Sequence, residues 1–294
     1  MNKRIPIIVI LLLLFLGGCS QAGPKAQIVP TTGPVYQFTL ALCAGTDLTV
    51  DQLITDEVSC LHDYTLRVSQ MQSAESAETV IISGAGLEEF MQDVLAGTET
   101  VIDCSEGIQV MSYGEDHHHE HEHSEDHHHE HDPHIWLSPE NAAVMARNIC
   151  VGLCQKYPQY SELFQINLEI LVQELTDLHA YGQEQLTSLS SRDLITFHDG
   201  FAYFAHSFDL HILKAVEEES GSEASAKELK ELITLVRAEN LPAIFTEITG
   251  SEASARVISR ETGIPIFQLD MAMSSPDYFE SMYKNINTVK EALG

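Results

Sequence analysis

From Tyr160 to Leu189 runs a thirty-residue stretch without proline, in which Phe164, Leu168, Leu171, Leu175 and Leu178 recur at alternating spacings of four and three. Apolar residues at that period line one face of a helix, and about thirty residues at 1.5 Å each span on the order of 45 Å. A rod of that length can run the whole extent of two lobes. The ion pairing that would favour a coiled coil is sparse along it. On both sides short β-rich runs alternate with amphipathic segments, the pattern of parallel α/β units. Strands are predicted at Thr79 to Ser83, Val101 to Cys104, Leu194 to His198, Ile212 to Val216, Ala243 to Glu247 and Pro265 to Leu269. Helices are predicted at Leu87 to Leu95, Ser138 to Lys156, Ala224 to Ala238, Ser251 to Glu261 and Pro276 to Ala292. Ser138-Pro139 suits a helix start, the serine as cap and the proline in the first turn. The fold class expected is α/β, with a lobe at 34–158, a linker helix at 159–190 and a second lobe at 191–294.

Fifteen residues of the first lobe, His117 to His131, hold nine histidines: His117, His118, His119, His121, His123, His127, His128, His129 and His131. They form a tandem decapeptide, Glu115 to Ser124 followed by Glu125 to His134, with no apolar residue between Glu115 and Pro133. Such a segment cannot contribute to a core and reads as a surface loop over 114–133. Neutral imidazole suits borderline ions such as zinc, copper and nickel, so the tract is expected to gather metal through many weak, exchangeable contacts. An internal tract interleaved with carboxylates is not a purification tag.

Charge agrees with a cationic ligand. The formal net charge is −29, and without the eight acids of the tract 36 acids still face 15 bases. A chain of this sign repels nucleic acid and anionic headgroups. At the start, Lys3 and Arg4 precede an apolar run from Ile5 to Leu16 that is short for a membrane span, followed by Gly17-Gly18-Cys19. It reads as a signal peptide over 1–18. Residues 19–33, small, polar or proline, read as a flexible stalk. Five cysteines remain besides Cys19. Cys60 with Cys104 is a candidate disulfide, and Cys150 with Cys154, four apart on a helix, is either a pair of metal ligands or simply buried.

Six histidines lie outside the tract. His62 precedes Asp63 and Tyr64, His134 stands in Asp132-Pro133-His134-Ile135-Trp136-Leu137, and His198 ends an apolar strand, where ligands bind to parallel sheets. His179, on the connector, reads as a surface residue, His206 and His211 as helix-face or strand-end residues, and Trp136 as core.

The motifs His62-Asp63-Tyr64, Asp132-Pro133-His134-Ile135-Trp136-Leu137-Ser138-Pro139, His198-Asp199-Gly200-Phe201-Ala202-Tyr203-Phe204-Ala205 and Phe267-Gln268-Leu269-Asp270, in this order, resemble those of the cluster A-I solute-binding lipoproteins of zinc and manganese ABC transporters. The resemblance covers about Val35 to Leu293. It implies two similar lobes, a long backbone helix and one metal ion in the cleft, bound by His62, His134, His198 and Asp270. It also implies lipid on Cys19, since Leu16-Gly17-Gly18-Cys19 is similar to a lipoprotein box. Cleavage before Cys19 would leave the chain tethered by lipid outside the cytoplasmic membrane. The four positions are separated by 72, 64 and 72 residues, so each half supplies two ligands. Three imidazoles and one carboxylate fit tetrahedral zinc. In the manganese members the third position is typically a carboxylate, so His198 argues for zinc. Asp63 and Asp199 are the expected orienting partners of the imidazoles, and Glu247 competes with Asp270 as the acidic ligand.

One departure concerns Pro34 to Thr46, shorter and less regular than the strand and helix expected before the first ligand; a trimmed first lobe is the expectation. The function implied is a monomeric receptor that captures zinc and delivers it to an ABC permease, with the histidine tract as collector and no catalysis. The alternatives are a surface buffer or adhesin uncoupled from transport and a zinc hydrolase, for which no His-Glu-x-x-His helix is present.

Overall fold

The computed structural model describes residues 26–58, 61, 64–112, 131–217 and 224–294. Two all-parallel sheets organise it. In the first, β1 (Ile28–Pro30), β2 (Thr79–Ile82) and β3 (Val101–Asp103) lie in the order β1-β2-β3. In the second, β4 (Asp193–His198), β5 (His211–Glu217), β6 (Ile244–Glu247) and β7 (Ile266–Leu269) lie in the order β5-β4-β6-β7. The central strands are mostly apolar, Val80-Ile81 in one lobe and Leu194-Ile195-Thr196-Phe197 in the other with one threonine, and all of these residues are buried, as in parallel strands covered on both faces.

The helices are α1 (Gly33–Leu42), α2 (Val68–Ser76), α3 (Gln92–Ala96), α4 (Pro139–Lys156), α5 (Ser161–Gln185), α6 (Ala202–Ser207), α7 (Ala226–Glu239), α8 (Ala253–Thr262) and α9 (Tyr278–Leu293). Their ends are chemically marked. Ser138 caps α4 by accepting from the Asn141 amide at 3.2 Å, with Pro139 opening the first turn. Ser225 and Glu228 form a capping box on α7, and Asn240, at φ 51°, closes it in the left-handed region. The connector is α5, 25 residues and about 37 Å at 1.5 Å per residue. It packs against α1 and α4 of the first lobe and against α9 of the second, burying Phe164, Leu171, Leu175 and Leu178, four of the five apolar residues whose period predicted it.

Two expectations are corrected. Ile28–Pro30 is not stalk: all three residues are buried, forming the first strand of the sheet. The first lobe is not trimmed either, since β1 and α1 stand before Asp51. A three-residue strand is too short to show a period, and α1 opens with Gly33-Pro34, which reads as loop although proline is favoured in a first helical turn. Helix α2 also escaped prediction because only Gln70 and Ala74 of it are buried. Leu87 to Leu95 is a 3-10 turn at Glu89–Met91 leading into α3, not one helix. Among the described residues no helix is long and apolar enough to cross a membrane.

Candidate metal centre

Strands β4, β6 and β7 are neighbours and parallel, so their carboxyl ends share one edge. Thr196 pairs with Phe245, and two residues on, His198 ends β4 beside Glu247 at the end of β6. Glu247 pairs with Leu269, and Asp270 follows at once. The first lobe brings His134 to the same place from the turn ahead of α4. His134 is 0% and His198 2% exposed, and their Nε2 atoms stand 3.4 Å apart with the rings nearly perpendicular at 85°.

Each ring faces a carboxyl group with its other nitrogen. Asp132 Oδ1 accepts from the His134 backbone amide at 2.9 Å and faces His134 Nδ1 at 2.7 Å. Glu247 Oε1 lies 3.3 Å from His198 Nδ1. In the tautomer that places the proton on Nδ1, toward the carboxylate oxygen, the Nε2 of a neutral ring presents a lone pair. In that tautomer the two Nε2 lone pairs face each other across 3.4 Å, and a cation between them is attracted by both. Two tetrahedral Zn–N bonds of about 2.05 Å place their nitrogens about 3.3 Å apart. The pair therefore has the donor type and spacing that a zinc ion takes, with a carboxyl group behind each ring.

The surroundings fix this geometry. Trp136, the only tryptophan of the chain, is fully buried with its ring 5.4 Å from His134, and its Nε1–H donates to Met271 O at 2.8 Å across the lobes. A Cβ on Gly200 would come within 2.8 Å of His198 Nε2 and 2.7 Å of Met271 Cε, so this position requires glycine if His198 is to keep its place. Tyr203, on α6, accepts from the Met111 amide at 2.8 Å and donates to Asp132 O at 2.9 Å. Burial pushes its hydroxyl up to about 12.

His62 and Asp63 lie outside the described residues, as do Cys19, Cys60 and loop histidines 117–129. His131 is described: it is exposed and bridges Ser112 in antiparallel fashion. Among the described residues no three His, Cys, Asp or Glu groups gather closely enough to hold one ion, so Asp270 does not join the two imidazoles here. Its carboxylate is held by the Ala272 amide at 2.8 Å and the Ser281 hydroxyl at 2.7 Å. Glu247, weighed from sequence as a ligand, instead faces the Nδ1 side of His198. Asp199, expected to orient an imidazole, is half-buried, and the carboxylates found behind the rings are Asp132 and Glu247. Asp132 was findable two residues before His134, whereas Glu247 needed the strand order.

Among the other candidates, Cys104 is a free, buried thiol, and its candidate partner Cys60 is outside the described residues. Cys150 and Cys154 have their sulfurs 4.0 Å apart on α4, and burial pushes Cys150 up to about 12, the state of a packed thiol rather than a ligand. His206 and His211 are exposed. His179 is more than surface: its Nε2 lies 2.9 Å from Glu140 Oε1, tying the connector to the start of α4.

Two α/β lobes bridged by one long helix, with a buried imidazole from each lobe aimed at a common point, define a two-lobed solute-binding protein. The family model described as zinc-uptake complex component A, periplasmic, matches residues 28–292. The chain belongs to this family, one of cluster A-I solute-binding proteins and not of enzymes. The zinc-binding lipoprotein AdcA of Streptococcus pneumoniae (strain ATCC BAA-255 / R6) is 28% identical over 307 residues, 99% of this chain and 61% of that protein. This chain thus spans about three fifths of that relative. A crystal structure of ZnuA superposes with a TM-score of 0.78 at 27% identity, over 92% of this chain and 100% of that one. Zn(II)-bound AdcA from Streptococcus pneumoniae superposes at 0.77 and 26% identity, over 92% of this chain and 58% of that one.

Proposed function

We propose that this chain captures zinc outside the cytoplasmic membrane, anchored by lipid on Cys19, and delivers it to an ABC permease. His134 and His198 bind the ion through Nε2, and His62 and Asp270 complete four ligands as the lobes close on it. The histidines of the 114–133 loop collect ions at low affinity and raise the local supply to a site whose first ligand, His134, stands three residues beyond His131. The observation that carries this reading is the Nε2 pair 3.4 Å apart with a carboxylate behind each ring. Membership of a zinc-uptake family and a zinc-bound relative of the same fold support the choice of ion.

Calorimetric titration of the full chain with zinc is expected to show one tight site and several weak ones. Removing residues 114–130 should abolish the weak sites and keep the tight one, and His198→Ala should abolish the tight one. Loss of the tight site with the loop, or its survival in His198→Ala, overturns the reading. Because imidazole takes a proton near its ordinary value of about 6.5, capture weakens as pH falls through that range. Incorporation of labelled fatty acid into the wild type and not into Cys19→Ala tests the anchor.

A further inference from the structure

Both ends of the histidine-rich loop return to one place. The Asp132 amide donates to Met111 O at 2.8 Å, and Ser112 bridges His131 one step further out. This short antiparallel ladder belongs to the first lobe. Into its base comes the phenol of Tyr203, a second-lobe residue only 1% exposed, accepting from Met111 N on one strand and donating to Asp132 O on the other. Asp132 then holds His134 twice, through the amide and Nδ1.

We propose that Tyr203 is a positioning residue for the metal site: its hydroxyl straps the second lobe to the base of the histidine-rich loop and, through Asp132, sets the aim of His134. The inference rests on the metal-binding reading above. Tyr203 lies five residues after His198 on the same strand-to-helix segment. The second lobe therefore meets the first at two linked points, by an imidazole at the ion and by a phenol at the loop base. The backbone of Asp132 is hydrogen-bonded at both its amide and its carbonyl, and from that anchored position its carboxylate faces His134. An imidazole held in one tautomer and one orientation loses less freedom when it binds an ion, so a slack Asp132 costs affinity. The linkage also makes the loop base part of the site, since any displacement of Met111 or His131 reaches His134 through a single residue.

The test is a double-variant cycle on the full chain. Zinc affinity of the tight site is read by competition with a chelator, and the His134 tautomer by long-range 1H–15N NMR of the metal-free protein. Tyr203→Phe removes one oxygen; it is expected to weaken the tight site about tenfold and to replace the single Nδ1–H tautomer of His134 by a mixture. Asp132→Asn is expected to weaken the site by at least as much. In the double variant the losses should fall short of their product, because both remove the same restraint. Tyr157→Phe, which removes a phenol hydrogen-bonded to Glu78 away from the loop base, should leave affinity and tautomer unchanged, separating this role from general loss of a buried hydroxyl. Undiminished affinity and an unchanged tautomer in Tyr203→Phe, or losses that multiply fully, overturn the inference while leaving the metal site intact. Absence of any tight zinc in the wild type overturns the function itself.

Discussion

At Gly200 one absent methyl group protects the site. The Cβ of an alanine there would meet His198 Cδ2 at 2.7 Å and Nε2 at 2.8 Å, so the ring must turn away from His134. Gly200→Ala is expected to weaken tight zinc binding by at least tenfold, about 1.4 kcal/mol, while the circular dichroism of the folded chain is retained; unchanged affinity by chelator competition would show that His198 is not the ligand described. A second residue governs pH behaviour away from the ion. Glu88 is 3% exposed and accepts from the Thr31 hydroxyl at 2.6 Å and from the Ser83 and Gly84 amides at 2.8 and 3.0 Å. Burial outweighs those bonds and pushes its carboxyl from 4.5 to about 7. The folded chain thus keeps this proton to higher pH than the unfolded chain, so the contribution is greatest below 4.5 and is lost as pH rises to about 7, on the order of 3 kcal/mol. In urea unfolding, the stability difference between wild type and Glu88→Gln should change with pH across that window and be flat outside it.

The elements carry the lobes' relation. Helix α5 is legible in the sequence because its apolar period persists from Phe164 to Leu178, about four turns. What it touches at its second-lobe end is not, because a glycine has no period. A Cβ on Gly182 would lie 2.2 Å from Phe208 Cε1, so the connector passes the end of α6 at backbone contact. Gly182→Ala should cost about 1–3 kcal/mol by overpacking, seen as a lower urea midpoint; a gain in stability, as helix propensity alone would give, would argue against this contact. Glu140 reinforces the same corner, taking the Ser207 hydroxyl at 2.9 Å from α6 as well as His179 from α5. Half-exposed as it is, that tie adds little energy but joins three elements from both lobes and the connector. The segment following β7 is likewise bound to the first lobe: Gly33 N donates to Met273 O at 3.1 Å, and Tyr278 donates from its hydroxyl to Trp136 O at 2.7 Å. A Cβ on Gly33 would lie 2.4 Å from Met273 O, so a close backbone approach accounts for glycine at 33 as at 182.

For the molecule as a whole, a formal charge of −29 makes the surroundings of the site attractive to cations over distances that contacts do not reach. Zinc association followed by Trp136 fluorescence should therefore slow as salt rises from low to about 0.15 M, where screening sets in at about 8 Å, with the dissociation rate little changed; a salt-independent association rate would assign the field no role. The sequence alone determined the α/β class, the connector, most strand positions, the histidine-rich tract and two of the ring nitrogens' owners, because periodicity and residue chemistry are local properties written along the chain. Only the tertiary structure decided that Asp132 and Glu247 stand behind the rings, that Ile28–Pro30 is strand and not stalk, and that Tyr203 reaches the loop base. Apart from Asp132, two residues before His134, those facts depend on strand order and on contacts between residues far apart in the chain, 71 positions for Tyr203 and Asp132, and a chain's order does not fix which distant atoms meet until packing selects one arrangement.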